Sequence, residues 1–116
     1  MALIKRFEEI MAWQEARKLV QDIYGITRQG AFARDFGLRD QIQRAAVSVM
    51  TNIAEGFDCD SHVEFARRPA VEVQSLLYAA LDVGYITENI SKSELTQADK
   101  TKALIGGFKK SLKPRV

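Results

Sequence analysis

One cysteine, one histidine and two prolines in 116 residues are few enough that each scarcity excludes a class of protein. Cys59 alone closes no internal disulfide, and a single Cys with His62 builds no Cys/His zinc module, so stapled secreted scaffolds and structural zinc folds are out. The sparse proline and glycine leave no room for collagen-like or low-complexity structure. No apolar run approaches the roughly 20 residues of a membrane span. Acidic residues also enter the opening MALIKRFEEIMAW too early for a secretory signal. The expectation is a soluble, cytoplasmic protein without a membrane partner. Neither a Gly-x-x-x-x-Gly-Lys-Ser/Thr loop nor a Gly-x-Gly-x-x-Gly fingerprint occurs, so nucleotide chemistry has no phosphate cradle. A di-iron bundle needs two Glu-x-x-His motifs, and three residues before His62 stands Cys59, not Glu.

What is present suits one compact domain spanning 1–116: 13.1 kDa, 47% hydrophobic and 28% charged residues. The net charge of +2 hides an asymmetry. Residues 1–99 hold 11 basic and 15 acidic side chains, whereas Lys100, Lys102, Lys109, Lys110, Lys113 and Arg115 follow with no acid among them. Such a basic segment on a mildly acidic body suits contact with nucleic acid or another acidic partner. It equally suits a solvated helix end whose cations complement the helix dipole.

Apolar residues recur at helical spacing along the whole chain, with no alternating strand pattern, no long linker and no internal repeat. The class is all-α. A first helix is predicted over Phe7–Thr27, with Ile10, Trp13, Ala16, Val20 and Ile23 as its apolar stripe and Gly30 marking its end. A second runs Gly37–Glu55, capped by Asp35 and stopped by Gly56 in the left-handed conformation. The third opens on a capping box of Ser61 and Glu64 and reaches Tyr85. Val63, Ala66, Ala70, Val73, Leu77, Ala80 and Gly84 give it a heptad seam. Pro69 falls inside that run, which predicts a kink or a short turn before the main helix. The fourth starts near Ser93 or Thr96 and places Ala98, Thr101, Ile105, Phe108 and Leu112 on one face, ending before Pro114 and weakened by Gly106-Gly107. Short connections make sequential helices antiparallel neighbours, an up-down-up-down four-helix bundle.

The predicted second helix is apolar nearly all round except for a polar stripe of Gln41, Arg44, Ser48, Asn52 and Glu55. A helix buried on several sides of a small bundle calls for a second subunit, hence a homo-oligomer. In the antiparallel pairing Arg44 faces Glu72, so an interior ion pair is expected there. It would serve either as a specificity device in the core or as part of a ligand pocket.

The segment GLRDQIQRAAVSVMTNIAEGF at 37–57, preceded by Trp13-Gln14-Glu15-Ala16 and followed by Glu72 and Leu81-Asp82-Val83-Gly84-Tyr85, resembles the bacterial four-helix bundle family found as open reading frames within intervening sequences of 23S ribosomal RNA genes. The likeness extends from about Phe7 to Leu112. It implies a bundle that assembles into a ring of five, a homopentamer, and a relation to the accessory proteins of diversity-generating retroelements, which contact nucleic acid beside a reverse transcriptase. No enzymatic activity is implied. The chain departs from the family pattern at Arg68-Pro69, where members usually carry Gly-Ser.

The residues themselves also argue against catalysis and against a cofactor. Glu55, Asp58, Cys59, Asp60, His62 and Glu64 could loosely hold a divalent ion, but a polar interhelical loop with caps accounts for them better. Cys59, flanked by two carboxylates, has its thiolate disfavoured. Two non-enzymatic readings stand. In one, an oligomer multiplies weak phosphate contacts by Arg67, Arg68, Lys109, Lys110, Lys113 and Arg115, and binds RNA or DNA without reading bases, since no aromatic stacking platform is evident. In the other, the ring is a scaffold for a protein partner.

Overall fold

The computed structural model describes residues 4–58 and 63–111, with the side chains of residues 108–111 outside the description. All regular structure among the described residues is helical. A 3-10 turn at Phe7–Glu9 leads into α1 (Met11–Thr27), a short α2 (Gly30–Arg34) and α3 (Phe36–Asp58). A second 3-10 turn at Val63–Ala66 precedes α4 (Arg67–Asp82), and α5 (Glu88–Ser111) completes the described chain. The four long helices close a square in which α1 meets α3 and α5, and α4 meets α3 and α5. Hydrogen bonds fix the directions. Gln41 reaches Glu72 while Asn52 reaches Phe65, so α3 and α4 run antiparallel, as do α1 and α5, where Glu15 meets Gln97 and Asp22 meets Glu94. The result is a rod of 52 × 22 × 20 Å.

The heptad seam of α4 holds at six of its seven positions: Val63, Ala66, Ala70, Val73, Leu77 and Ala80 are at most 3% exposed. Gly84 is the exception. It is exposed and adopts φ +83°, where it ends α4. The Tyr85 N–H donates to the Ala80 carbonyl and the Gly84 N–H to that of Leu81, which satisfies the last free carbonyls of the helix. The stop expected at Gly56 is not realised, since α3 runs on to Asp58. Gly56 lies inside α3 and is buried, and a Cβ built there would sit 2.7 Å from the Val63 backbone nitrogen and 2.8 Å from its Cα. Its missing side chain serves close approach of α3 to the second 3-10 turn, not a left-handed turn.

Other boundaries move for identifiable reasons. Ile10 is extended between the first 3-10 turn and α1, so the first helix begins four residues later than expected, and Leu19 takes the fully buried place assigned to Val20. The segment after α1 holds the short helix α2, whose Phe32 is fully buried and stacks on Tyr85 at 5.2 Å. Asp35 caps α3 as predicted, accepting the Leu38 N–H at 3.1 Å on one oxygen and the Tyr85 hydroxyl at 2.8 Å on the other. Both donors hold its carboxyl below the usual range, the Leu38 amide most strongly. α5 starts well before Ser93, because Thr87 caps it through the Ile90 N–H at 3.2 Å, and Gly106-Gly107 stay helical. Ser61 of the expected capping box, Leu112 and Pro114 lie outside the described residues.

Pro69 occupies the third position of α4, behind the 3-10 turn, so the short turn and not the kink is realised. Within the first turn its missing N–H removes no intrahelical bond. The carbonyl four residues earlier, on Phe65, instead accepts the Asn52 side-chain amide at 3.4 Å.

One carboxyl is buried in the α1–α5 seam. Glu94 is 7% exposed, its Oε1 has no hydrogen-bond partner, and Asp22 and Lys18 of α1 lie beside it. Burial first, then the hydrogen bond and charge of Asp22, push the Glu94 carboxyl up to about 7, with Lys18 pulling the other way.

Two outcomes follow from this packing. Gly56→Ala should lower stability by about 1–3 kcal/mol in a urea titration, since Val63 backbone must move to admit the methyl. Because the folded chain holds the Glu94 proton more tightly than the unfolded chain, the stability it contributes is full below about pH 4.5 and is lost by about pH 7. Unfolding free energies from urea titrations at pH 5 to 8 should fall as pH rises, by up to about 1.4 kcal/mol per pH unit, and Glu94→Gln should flatten that profile.

Candidate nucleic-acid interface

The basic residues singled out from the sequence divide into two groups. Arg67 and Arg68 are exposed in the first turn of α4. α5 packs against the 3-10 turn ahead of them, and Ile105 shares a core cluster with Val63, Ala66 and Ala70. The antiparallel topology thus brings the C-terminal turns of α5, with Lys109 and Lys110 on their backbone, to the end of the bundle where Arg67 and Arg68 stand. Lys113 and Arg115 lie outside the described residues. Upstream cations of the same run are already engaged. Lys100 pairs with Glu15 at 3.3 Å, and Lys102 donates to Gln74 Oε1 at 3.0 Å with Asp99 3.6 Å away.

The polar stripe of α3 forms only in part. The Gln41 amide donates to Glu72 at 3.3 Å, and Asn52 donates to the Phe65 carbonyl. Ser48 is half-buried, and Glu55 is exposed. The interior Arg44–Glu72 pair is not present: both residues are exposed, and among the described residues no ion pair joins them. Gln41, one turn earlier, takes the Glu72 carboxylate, while Arg44 lines a shallow hollow together with Tyr24 of α1. The apolar richness of α3 is also covered within one chain, because α1, α2, α4 and both 3-10 turns pack on it and Val47 is its large apolar residue exposed along the middle of the helix.

Sequence reading missed two contacts on α1 that hold arginines in place. The Arg17 guanidinium lies over the Trp13 ring at 5.7 Å and that of Arg28 over Tyr24 at 5.6 Å. The signal was in the sequence as two aromatic–Arg pairs at i,i+4, which meet on one helix face. The suspected acidic metal cluster gains no support: among the described residues no group of three His, Cys, Asp or Glu could hold an ion, and Cys59, Asp60 and His62 lie outside them. No described helix is long and apolar enough to cross a membrane.

With Arg44 and Glu72 exposed and apart, Arg44→Ala and Glu72→Ala should each change stability by no more than about 0.5 kcal/mol. Their effects in a double-mutant cycle should add, as read from urea unfolding.

A search of curated proteins finds no match. The family model described as 23S rRNA-intervening sequence protein matches residues 8–107, the described bundle from the first 3-10 turn to the later turns of α5. On that match over most of its length, the chain belongs to the 23S rRNA-intervening sequence protein family.

Proposed function

We propose that this protein is a non-catalytic, self-assembling four-helix bundle that binds RNA or DNA through basic side chains on its surface. The observation that carries the reading is the gathering of Arg67, Arg68 and the last turns of α5 at one end of the rod. Several copies of a weak phosphate contact, held in one assembly, gain affinity from effective concentration without any base-specific contact. Five copies, as the family resemblance implies, would present five such ends.

The surface for self-association is α4. Val71 is 51% and Tyr78 55% exposed, two turns apart on one face, where an adjoining subunit would cover them. The same two residues favour the second reading, in which the bundle scaffolds a protein partner and nucleic acid plays no part.

Light scattering at micromolar concentration should return several times 13.1 kDa, with fivefold the expected value. A mass of one chain at all concentrations overturns assembly. Replacing Arg67, Arg68, Lys109 and Lys110 with Gln should weaken RNA or DNA binding about equally across sequences and flatten its salt dependence. Absence of wild-type binding at about 50 mM salt, where phosphate contacts are strongest, would leave the scaffold reading.

A further inference from the structure

A second cationic surface runs along the outer face of α1 and reaches α3 at one end. Three shallow concavities there are contiguous: the first shares Gln21 with the second, and the second shares Tyr24 with the third. Together they form one trough. Arg17 and Lys18 line its first section, Arg28 its second and Arg44 its third, against a single acid, Glu8. Glu8 is held by Arg6 at 2.6 Å.

The charges of this flank are sorted by side. The two acids of α1 that lie alongside the trough in sequence, Glu15 and Asp22, point to α5, where they meet Gln97 with Lys100, and Glu94. Asp40, one turn before Arg44, is taken by Arg39 at 2.9 Å. Among the described residues Arg17, Arg28 and Arg44 make no ion pair, and all three are exposed. Two of them lie over aromatic rings, which holds a guanidinium in place while leaving N–H donors for a ligand.

We infer that this trough binds the sugar-phosphate backbone of a nucleic-acid strand, with Arg17, Arg28 and Arg44 as its phosphate-contacting residues. The inference rests on the nucleic-acid reading above and adds a second contact surface to it. Arg17 and Arg28 are about 16 Å apart along the helix axis, enough for several consecutive phosphates. Arg, Gln, Ser and Thr are the side chains that contact phosphate and sugar, and Gln21, Ser48 and Thr51 line the same trough. An acidic polypeptide fits less well, because protein interfaces centre on apolar, charge-poor patches. Here Val47 is the one large apolar side chain of the trough exposed by more than a third.

The test is fluorescence anisotropy of the full-length protein with a mixed-sequence single-stranded RNA, titrated at several salt concentrations, with duplex RNA and poly-glutamate as competitors. The Arg17→Gln/Arg28→Gln/Arg44→Gln variant should bind at least about tenfold more weakly at 50 mM salt, and its slope of log affinity against log salt should be flatter by about 2. Its thermal melt should match the wild type. An Arg→Lys triple variant should recover the slope, since it restores the charge, but not the full affinity, since Lys neither stacks nor pairs bidentately. Should the Gln triple variant bind like wild type while the Arg67/Arg68/Lys109/Lys110 variant loses binding, the trough assignment falls and the broader reading stands. Wild-type protein that binds no RNA overturns both. Poly-glutamate displacing RNA at equal charge would make the occupant an acidic polypeptide and overturn the assignment.

Discussion

The bundle depends on how closely its helices approach. Among the described residues 21 apolar side chains are buried, and eight are alanine: 12, 16, 45, 46, 66, 70, 80 and 98. Alanine at a seam lets backbones come together and leaves little volume between them, so the interior is thin and filled by side chains of the helices themselves. Gly56 takes the same principle to its limit against the backbone of Val63. Larger residues fill the two core clusters that divide the length of the rod, one around Leu19, Phe32 and Leu77 and the other around Ile10, Val49 and Ile105. A core this thin leaves the outer faces of the helices as the accessible surface, where exposed cations and the exposed Val71 and Tyr78 are found.

Several polar residues within these seams are held by a partner from the facing helix. Gln97 of α5 donates to both the carbonyl and the carboxylate of Glu15, and Gln74 of α4 reaches Asp99 at 2.8 Å on α5. Thr27, fully buried, donates to the Ile23 carbonyl and accepts from Gln43. These bonds fix which helix lies beside which at a modest net gain of about 1 kcal/mol each, and they cost far more when broken singly. Glu94 departs from the rule, with one oxygen left without a partner beside a second carboxylate. Neutralisation by a proton resolves that conflict in the way an ion pair resolves it elsewhere.

Much of the fold was legible because three- and four-residue spacing survives in the packed molecule. The α4 seam from Val63 to Ala80, the Asp35 cap and the short turn ahead of Pro69 all follow from local chemistry. The same spacing carries no azimuth, which is why the interior Arg44–Glu72 pair failed: rotating α3 by part of a turn hands the carboxylate to Gln41. Gly56 and Gly84 look alike in sequence, each ending an apolar run. They differ in what comes next, since the chain turns back onto Gly56 through Val63 and leaves Gly84 exposed. The start of α5 was missed because Asn89, Ser91, Lys92 and Ser93 read as loop, and only tertiary contact buries Ser91 and Glu94. At the surface, the basic C-terminal run was plain from charge counting. The α1–α3 trough was not, because its cations come from separate helices and are set apart only once the acids of α1 turn toward α5.

Pro69 has an effect on α4 that reaches beyond its own turn. If α4 grew one turn toward its N-terminus at the expense of the 3-10 segment, Pro69 would fall in the helix interior, where it removes a backbone bond and clashes, at a cost of about 3 kcal/mol or more. The ring therefore sets where α4 begins, and so keeps Val63 in the 3-10 turn that Gly56 approaches.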